Sequence, residues 1–360
     1  MDETLKLNVM LSAVNDIQKG SSSSAENKLL ELIRVCQSED HAGKNLKFII
    51  FASALAKRFS QACFQEANLY LKEYELPQIE LFNLMAKKFP LIQESGKIAN
   101  SILAEYIREK QAVTLVNIGI GSGRQEAMLL AELAASKSLP QSLTIVGIEP
   151  ASHCLAEAEK LLSGISSSFG VAFQFHSFSK CIEDFSDLDW IKLKSLGSNV
   201  IVNEAFSIHH VKDKKDDVLK KIANHLCPAV FVLTEPHSDH HSSDLKQRFE
   251  NSWKHFGLTF DLIDQTDLTL IEKGSLKAHF FAREIEDILG NEESQRVERH
   301  ETAFMWIERL KRAGFRVLSQ NKASYPLKSP GITLSRHEEF VSLDVHQEAV
   351  VSVMVAAIGP

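Results

Sequence analysis

One stretch constrains the fold of this 360-residue chain more than any other: Val113-Thr114-Leu115-Val116-Asn117-Ile118-Gly119-Ile120-Gly121-Ser122-Gly123-Arg124. A short β-branched run ends in a Gly-x-Gly-x-Gly turn, helical spacing follows to Ala135, and a second apolar run, Thr144–Ile148, ends on Glu149. Strand, glycine turn, helix and strand in that order open a doubly wound α/β sheet that binds a nucleoside-bearing cofactor. The glycines let the backbone approach the ligand, and the helix N-terminus presents free N–H groups. The dinucleotide fingerprint needs its third glycine at position 124, where Arg124 stands. The spacing suits the looser turn of S-adenosylmethionine-dependent methyltransferases instead. The expected cofactor contacts are Gly119, Gly121 and Gly123 at the turn, Asn117 just before it, Glu149 on the ribose and Glu204 nearby.

Further runs repeat the alternation. Strands are expected at 113–118, 142–148, 171–176, 199–203 and 229–234, with helices at 123–137, 152–162, 187–195 and 212–226. Past Glu235 the spacing predicts a helix over 244–255, an amphipathic helix over 294–313, a sixth strand at Phe315–Leu318 and an antiparallel pair, Phe340–Val345 with Val350–Ile358. Residues 27–108 show helical periodicity alone, broken at Pro77 and Pro90. The expected fold is α/β: a Rossmann-like class I methyltransferase sheet of five parallel strands plus a C-terminal antiparallel hairpin, with an N-terminal all-α cap. The expected division is a flexible leader at 1–25, the cap at 26–110 and the core at 111–360, with 256–313 able to join the cap.

Composition narrows the partners. The formal net charge is −7 and no long basic run occurs, which argues against nucleic acid held through its phosphates. The cysteines, Cys36, Cys63, Cys154, Cys181 and Cys227, form no C-x-x-C pair, which speaks against a zinc ribbon or disulfide framework and for a reducing compartment. Met1–Ala13 lacks the pattern of a signal peptide, and the apolar runs Phe48–Ala56 and Val350–Ile358 are too short to span a bilayer. A cytoplasmic protein without a membrane partner is expected.

Several segments, in order, resemble the GRAS-domain family, best known as plant regulators and also found in bacteria. Ile98-Ala99-Asn100-Ser101-Ile102-Leu103 is similar to the end of its first leucine-rich region, and Val113–Gly123 stands where the family has its VHIID strand and turn. Val202–His210 resembles the segment after strand four that ends in Leu-His, and Leu233–His241 the segment after strand five. Arg296-Val297-Glu298-Arg299-His300-Glu301, followed by Trp306, Arg309 and Ala313-Gly314-Phe315, resembles the family's element near the C-terminus. The resemblance covers roughly 27–358 and implies a methyltransferase-like sheet with a helical cap. Two departures are clear: the VHIID core reads Val-Asn-Ile-Gly-Ile-Gly-Ser-Gly, and Val355-Ala356-Ala357-Ile358 replaces the terminal Ser-Ala-Trp. A retained glycine turn leans towards the bacterial, enzymatic branch.

Methyl transfer asks a protein to align a nucleophile and often to remove one proton. His209 and His210, a few residues past Glu204 at the end of strand four, are the candidate bases, and these three form the expected catalytic set. Glu235, His237, Arg299 and Glu301 are expected at the substrate. The cluster His237-Ser238-Asp239-His240-His241 reads as a pocket wall, and no metal is expected. The leading expectation is a GRAS-like methyltransferase that uses S-adenosylmethionine on a small, partly apolar molecule. The alternative is a non-catalytic GRAS-type regulator or scaffold that binds a protein partner or a second copy of itself.

Overall fold

The computed structural model describes residues 1–39, 43–59, 78–320 and 325–358; Pro77 and Cys63 lie outside them. The chain divides into two compact units, 1–90 with 238–300 and 91–237 with 301–360. No helix among the described residues is long and apolar enough to cross a membrane.

The first unit is helical: α1 (Glu3–Gln18), α2 (Ser22–Ser38), α3 (Leu46–Ala56), α4 (Gln78–Lys88), then α10 (Leu245–Asp264), α11 (Leu270–Ser275) and α12 (Ala282–Gly290). Helix α3, Leu-Lys-Phe-Ile-Ile-Phe-Ala-Ser-Ala-Leu-Ala, is apolar on nearly every side, so it can only sit at the centre of a bundle. Phe48 and Phe51 pack on Trp253 of α10 with ring centroids 5.3 and 4.9 Å apart, and Lys47 Nζ lies 3.9 Å above the same indole. Helix α10 starts where Asp244 caps the Gln247 N–H and runs well past the expected 255.

The second unit holds α5 (Pro90–Ile107) from Leu91 onward, followed by β1 (Ala112–Ile118), α6 (Arg124–Ala135), β2 (Ser142–Ile148), α7 (Ser152–Phe169) and β3 (Ala172–Phe178). It continues with α8 (Asp187–Ser195), β4 (Val200–Ala205), α9 (Lys215–Lys221, extended by a π-helical turn to Leu226) and β5 (Val230–Pro236). After the segment belonging to the first unit come α13 (Ala303–Arg312), β6 (Phe315–Val317), β7 (Ile332–Arg336), β8 (Phe340–Val345) and β9 (Glu348–Ile358). The fold is mixed α/β around a largely parallel sheet.

That sheet corrects the expected arrangement. Among the described residues it has nine strands, in the order β3-β2-β1-β4-β5-β9-β8-β7, and β6 also pairs with β9. The five parallel strands are followed by four antiparallel ones, where a sixth strand and a hairpin were expected. Strand β9 lies antiparallel to β5, with Leu233 opposite Met354, and seals the parallel half. Strands β1, β2 and β5 are buried almost throughout, whereas β3, at the edge, alternates and stays half exposed.

The helix expected over 294–313 is also corrected, because only Ala303–Arg312 is helical. Thr302 is its N-cap, accepting from the Met305 N–H, so the helix begins there. Upstream, Asp287 accepts from the N–H groups of Val297 and Glu298 at 2.8 and 2.7 Å, which holds that stretch in a non-helical path.

Candidate functional site

Strand order reverses between β1 and β4, and in a sheet of this kind the crevice at that point is the place for a ligand. Gly119, Gly121 and Gly123 all have positive φ, at 79°, 52° and 72°. Two of them are explained by packing. A Cβ on Gly119 would lie 2.7 Å from Ser207 Cβ, and one on Gly123 would lie 3.0 Å from Ala158 Cβ of α7. Ser207 Oγ donates to Ile118 O at 3.0 Å, so the segment after β4 covers the main chain at the end of β1. Only Gly121 borders open space.

Glu149 points at this turn, and both of its oxygens are bonded to main chain. Oε2 accepts from Gly121 N–H at 3.3 Å and Oε1 from Ala151 N–H at 3.0 Å. Asn117 is buried and donates through Nδ2 to Glu126 Oε1 on α6. Glu126 was not singled out by sequence, although an acid in the first turn of the helix after the glycines is a readable signal. Burial pushes its carboxyl up to about 7, against the pull of its own N–H and of Asn117. Asn203, opposite Asn117 in the ladder, is fully buried with both amide atoms lacking a hydrogen-bond partner among the described residues.

On the other face of the sheet, the acids and histidines nominated by sequence do converge. Glu204 Oε1 accepts from Ser207 N–H at 2.7 Å and Ile208 N–H at 2.9 Å, and lies 2.9 Å from Ser207 Oγ. Glu235 accepts His209 N–H on Oε1 at 3.0 Å, and its Oε2 lies 2.6 Å from His209 Nδ1. Burial raises the Glu204 carboxyl well above its ordinary value, and the Glu235 charge adds to the rise. Burial likewise pushes Glu235 up to about 7, while Glu204, Lys215 and His210 oppose it. His210 is exposed, its ring 4.0 Å from that of His209.

Glu301 belongs to a neighbouring network. Lys215 Nζ is 2.9 Å from Glu301 Oε1, and Arg309 reaches Glu301 Oε2 through Nε at 2.6 Å and Asp216 Oδ1 through Nη1 at 2.6 Å. Burial works to raise the Glu301 carboxyl, but Lys215 and Arg309 outweigh it and hold it below the usual range. His237 accepts the Ala303 N–H at the start of α13 through Nδ1 at 3.2 Å. Burial, with His337 adding, pushes its imidazole down to about 4, so it is a neutral acceptor at a helix N-terminus. Arg299 belongs to the first unit, where Nη2 donates to Glu293 O at 2.9 Å. His240 is there too, with Nδ1 3.1 Å from His300 Nδ1.

A His–Glu pair beside a second carboxyl could in principle move a proton. Here Glu204, Glu235 and Glu301 are 0% exposed, and the carboxylates bind main-chain amides and buried cations. A cavity of about 380 Å³ in this unit lies at the opposite end of the strands, lined by Lys194, Gly197, Asn199, His225 and Cys227 among others. The arrangement locks the segment after β4 in place.

The model of the GRAS domain family matches residues 7–338. The Scarecrow-like transcription factor PAT1 of Arabidopsis thaliana is 29% identical over 234 residues, 60% of this chain and 46% of that protein. Protein SLENDER RICE1-LIKE 2 of Oryza sativa is 26% identical over 335 residues, 86% of this chain and 65% of the relative. The chain thus spans about half to two thirds of the length of these relatives. The crystal structure of SCL7 in Oryza sativa matches with a TM-score of 0.78 at 19% identity, over 98% of this chain and 99% of that one, which shows a shared fold. These findings overturn the expectation of an S-adenosylmethionine-dependent methyltransferase acting on a small, partly apolar molecule. The sequence relatives are GRAS proteins, one named as a transcription factor, and the matching fold is that of another GRAS protein. Two glycines of the retained turn are required by packing within the chain.

Proposed function

We propose, since the chain belongs to the GRAS domain family, that it is a non-catalytic regulator which acts by binding other proteins on a methyltransferase-like scaffold. One observation carries the reading: Ser207, held by Glu204, packs directly on Gly119 at the end of β1, so part of the crevice between β1 and β4 is taken by the chain itself. A catalytic crevice needs exposed groups aimed at a substrate, whereas these side chains are bonded inward. The order β3-β2-β1-β4-β5 is that of a doubly wound scaffold. The transcription factor among the relatives supports a regulatory role, and the acidic balance supports protein over nucleic acid as the partner.

The test uses the full chain in two arms. Fused to a heterologous DNA-binding domain, it should change the output of a reporter several-fold. Incubated with a tritium-labelled methyl donor and cell extract, it should transfer no label. An unchanged reporter together with label transfer that His209→Ala abolishes would sink the regulator reading.

A further inference from the structure

Four arginines of the first unit are drawn around the end of α12 and the residues just after it. Arg58 Nε donates to Leu289 O at 2.6 Å and Nη2 to Asn291 O at 3.1 Å. Arg248 Nε donates to Ile288 O at 2.9 Å and Nη1 to Ser242 O at 2.7 Å. Arg296 Nη2 donates to His240 O at 2.7 Å, and Arg299 Nη2 to Glu293 O at 2.9 Å. Main-chain carbonyls therefore fix each guanidinium in place before any acid is considered.

The acids available are few. Arg248, Arg296 and Arg299 all reach the Glu293 carboxylate, at 3.6, 3.5 and 3.1 Å, and Arg58 reaches Glu292 at 3.3 Å. The first two distances are loose ion contacts, too long for good hydrogen bonds. The side chains of Arg248, Arg296 and Arg299 are 4, 0 and 12% exposed, while Glu293 is 47% exposed. Arg296 Nε has no hydrogen-bond partner among the described residues. Asp287 is already bonded to the Val297 and Glu298 amides. Burial lowers the affinity of Arg58 and Arg296 for their protons and takes Arg248 down to about 10. Arg248 and Arg296, withdrawn from water, thus meet a carboxylate that is half in it only through long contacts, which leaves their charge poorly matched.

We propose that Arg58, Arg248, Arg296 and Arg299 form a binding site for the phosphoryl group of a phosphorylated peptide, with Glu293 as the resident carboxylate that the phosphate displaces. A carboxylate offers two oxygens and one charge. A phosphomonoester offers three oxygens and nearly two charges, which suits several converging planar donors. The net charge of −7 and the adjacent Glu292 favour a single phosphoryl group over a nucleic-acid backbone. The site uses first-unit residues alone and stands or falls independently of the regulator reading.

Fluorescence anisotropy on the full chain tests it. The probes are a labelled glycine-serine octapeptide with one phosphoserine, its unphosphorylated parent and a single-stranded oligonucleotide of equal length. The phosphopeptide should bind at least about tenfold more tightly than its parent, and inorganic phosphate should compete. Glu293→Gln should tighten binding by about three- to tenfold by removing a like charge, and Arg299→Lys should weaken it. Glu293 is half exposed, so its variant keeps the fold, which a melting curve verifies. Equal binding of the two peptides, tighter binding of the oligonucleotide, binding of free phosphate alone, or no gain with Glu293→Gln each overturns the proposal.

Discussion

His209 is bound twice by Glu235: its N–H donates to Oε1 at 3.0 Å, and its Nδ1 lies 2.6 Å from Oε2. One carboxylate thus fixes both the main chain and the ring of a residue just past β4. Glu204, on the adjacent strand, takes the two preceding amides, of Ser207 and Ile208. Two parallel strands therefore end in acids that hold one short segment, and that segment packs on Gly119 at the end of β1.

This staple is expected to dominate local stability. Glu235→Ala leaves the His209 amide and ring without their buried acceptor and should cost ~3–5 kcal/mol in urea denaturation. Glu204→Ala should cost a similar amount. The double variant should lose less than the sum, because both carboxyls hold the same short segment, which either single loss already loosens. A loss below ~1 kcal/mol for Glu235→Ala would mean the segment is held by its apolar neighbours instead.

Glu126 gives a pH signature. Its folded value near 7 lies above the 4.5 of an exposed glutamate, so the folded chain binds this proton more tightly than the unfolded one. The contribution to stability is therefore complete below about pH 4.5 and is lost as pH rises to about 7. Glu126→Gln removes the titration while keeping an acceptor for Asn117. The variant should match the parent near pH 4.5 and exceed it by roughly 2–3 kcal/mol at pH 8. Parallel stability curves for the two proteins across that window would refute the assignment.

The buried pair Lys215–Glu301 supplies a third expectation. Glu301→Ala strands an ammonium that is 2% exposed and should cost ~3–5 kcal/mol, whereas Lys215→Met with Glu301→Leu should recover most of that loss. Arg309 limits the recovery, since it too loses a bidentate acceptor and keeps only Asp216. Chemical denaturation of both variants checks the order. A double variant weaker than Glu301→Ala alone would show that the ion pair itself stabilises the packing of α9 on α13.

How far the sequence carried these conclusions varies by element. The five parallel strands were readable because strands buried on both faces are written as unbroken β-branched runs, as in Val230–Thr234. Strand β7 was missed: Ile332-Thr-Leu-Ser-Arg is short, half exposed and lies at the sheet edge. The run 294–302 reads as helix by composition, yet Asp287 and Thr302 decide its path through hydrogen bonds that composition does not record. At the site, the types and positions of Glu204, His209, Glu235 and Glu301 were readable, and their hydrogen-bond partners were not. A carboxylate that accepts main-chain amides has the same spacing in sequence as one that awaits a substrate.

The glycine turn separates these roles most directly. Gly119 has φ 79° and no room, since a Cβ there would lie 2.7 Å from Ser207 Cβ and 2.8 Å from Ser207 Oγ. Gly121 has φ 52° and nothing within 4 Å of an added Cβ. Alanine at 121 should therefore cost only the ~1–2 kcal/mol of left-handed backbone strain. Alanine at 119 carries the same strain and must also displace Ser207, which is tied to Ile118 O and Glu204, so it should cost ~2 kcal/mol more. Gly119→Ala with Ser207→Gly should recover part of that excess, because the collision is with the side chain. Urea midpoints for the three variants decide it. If Gly121→Ala is the more damaging of the two single substitutions, the turn is held by something other than the segment after β4.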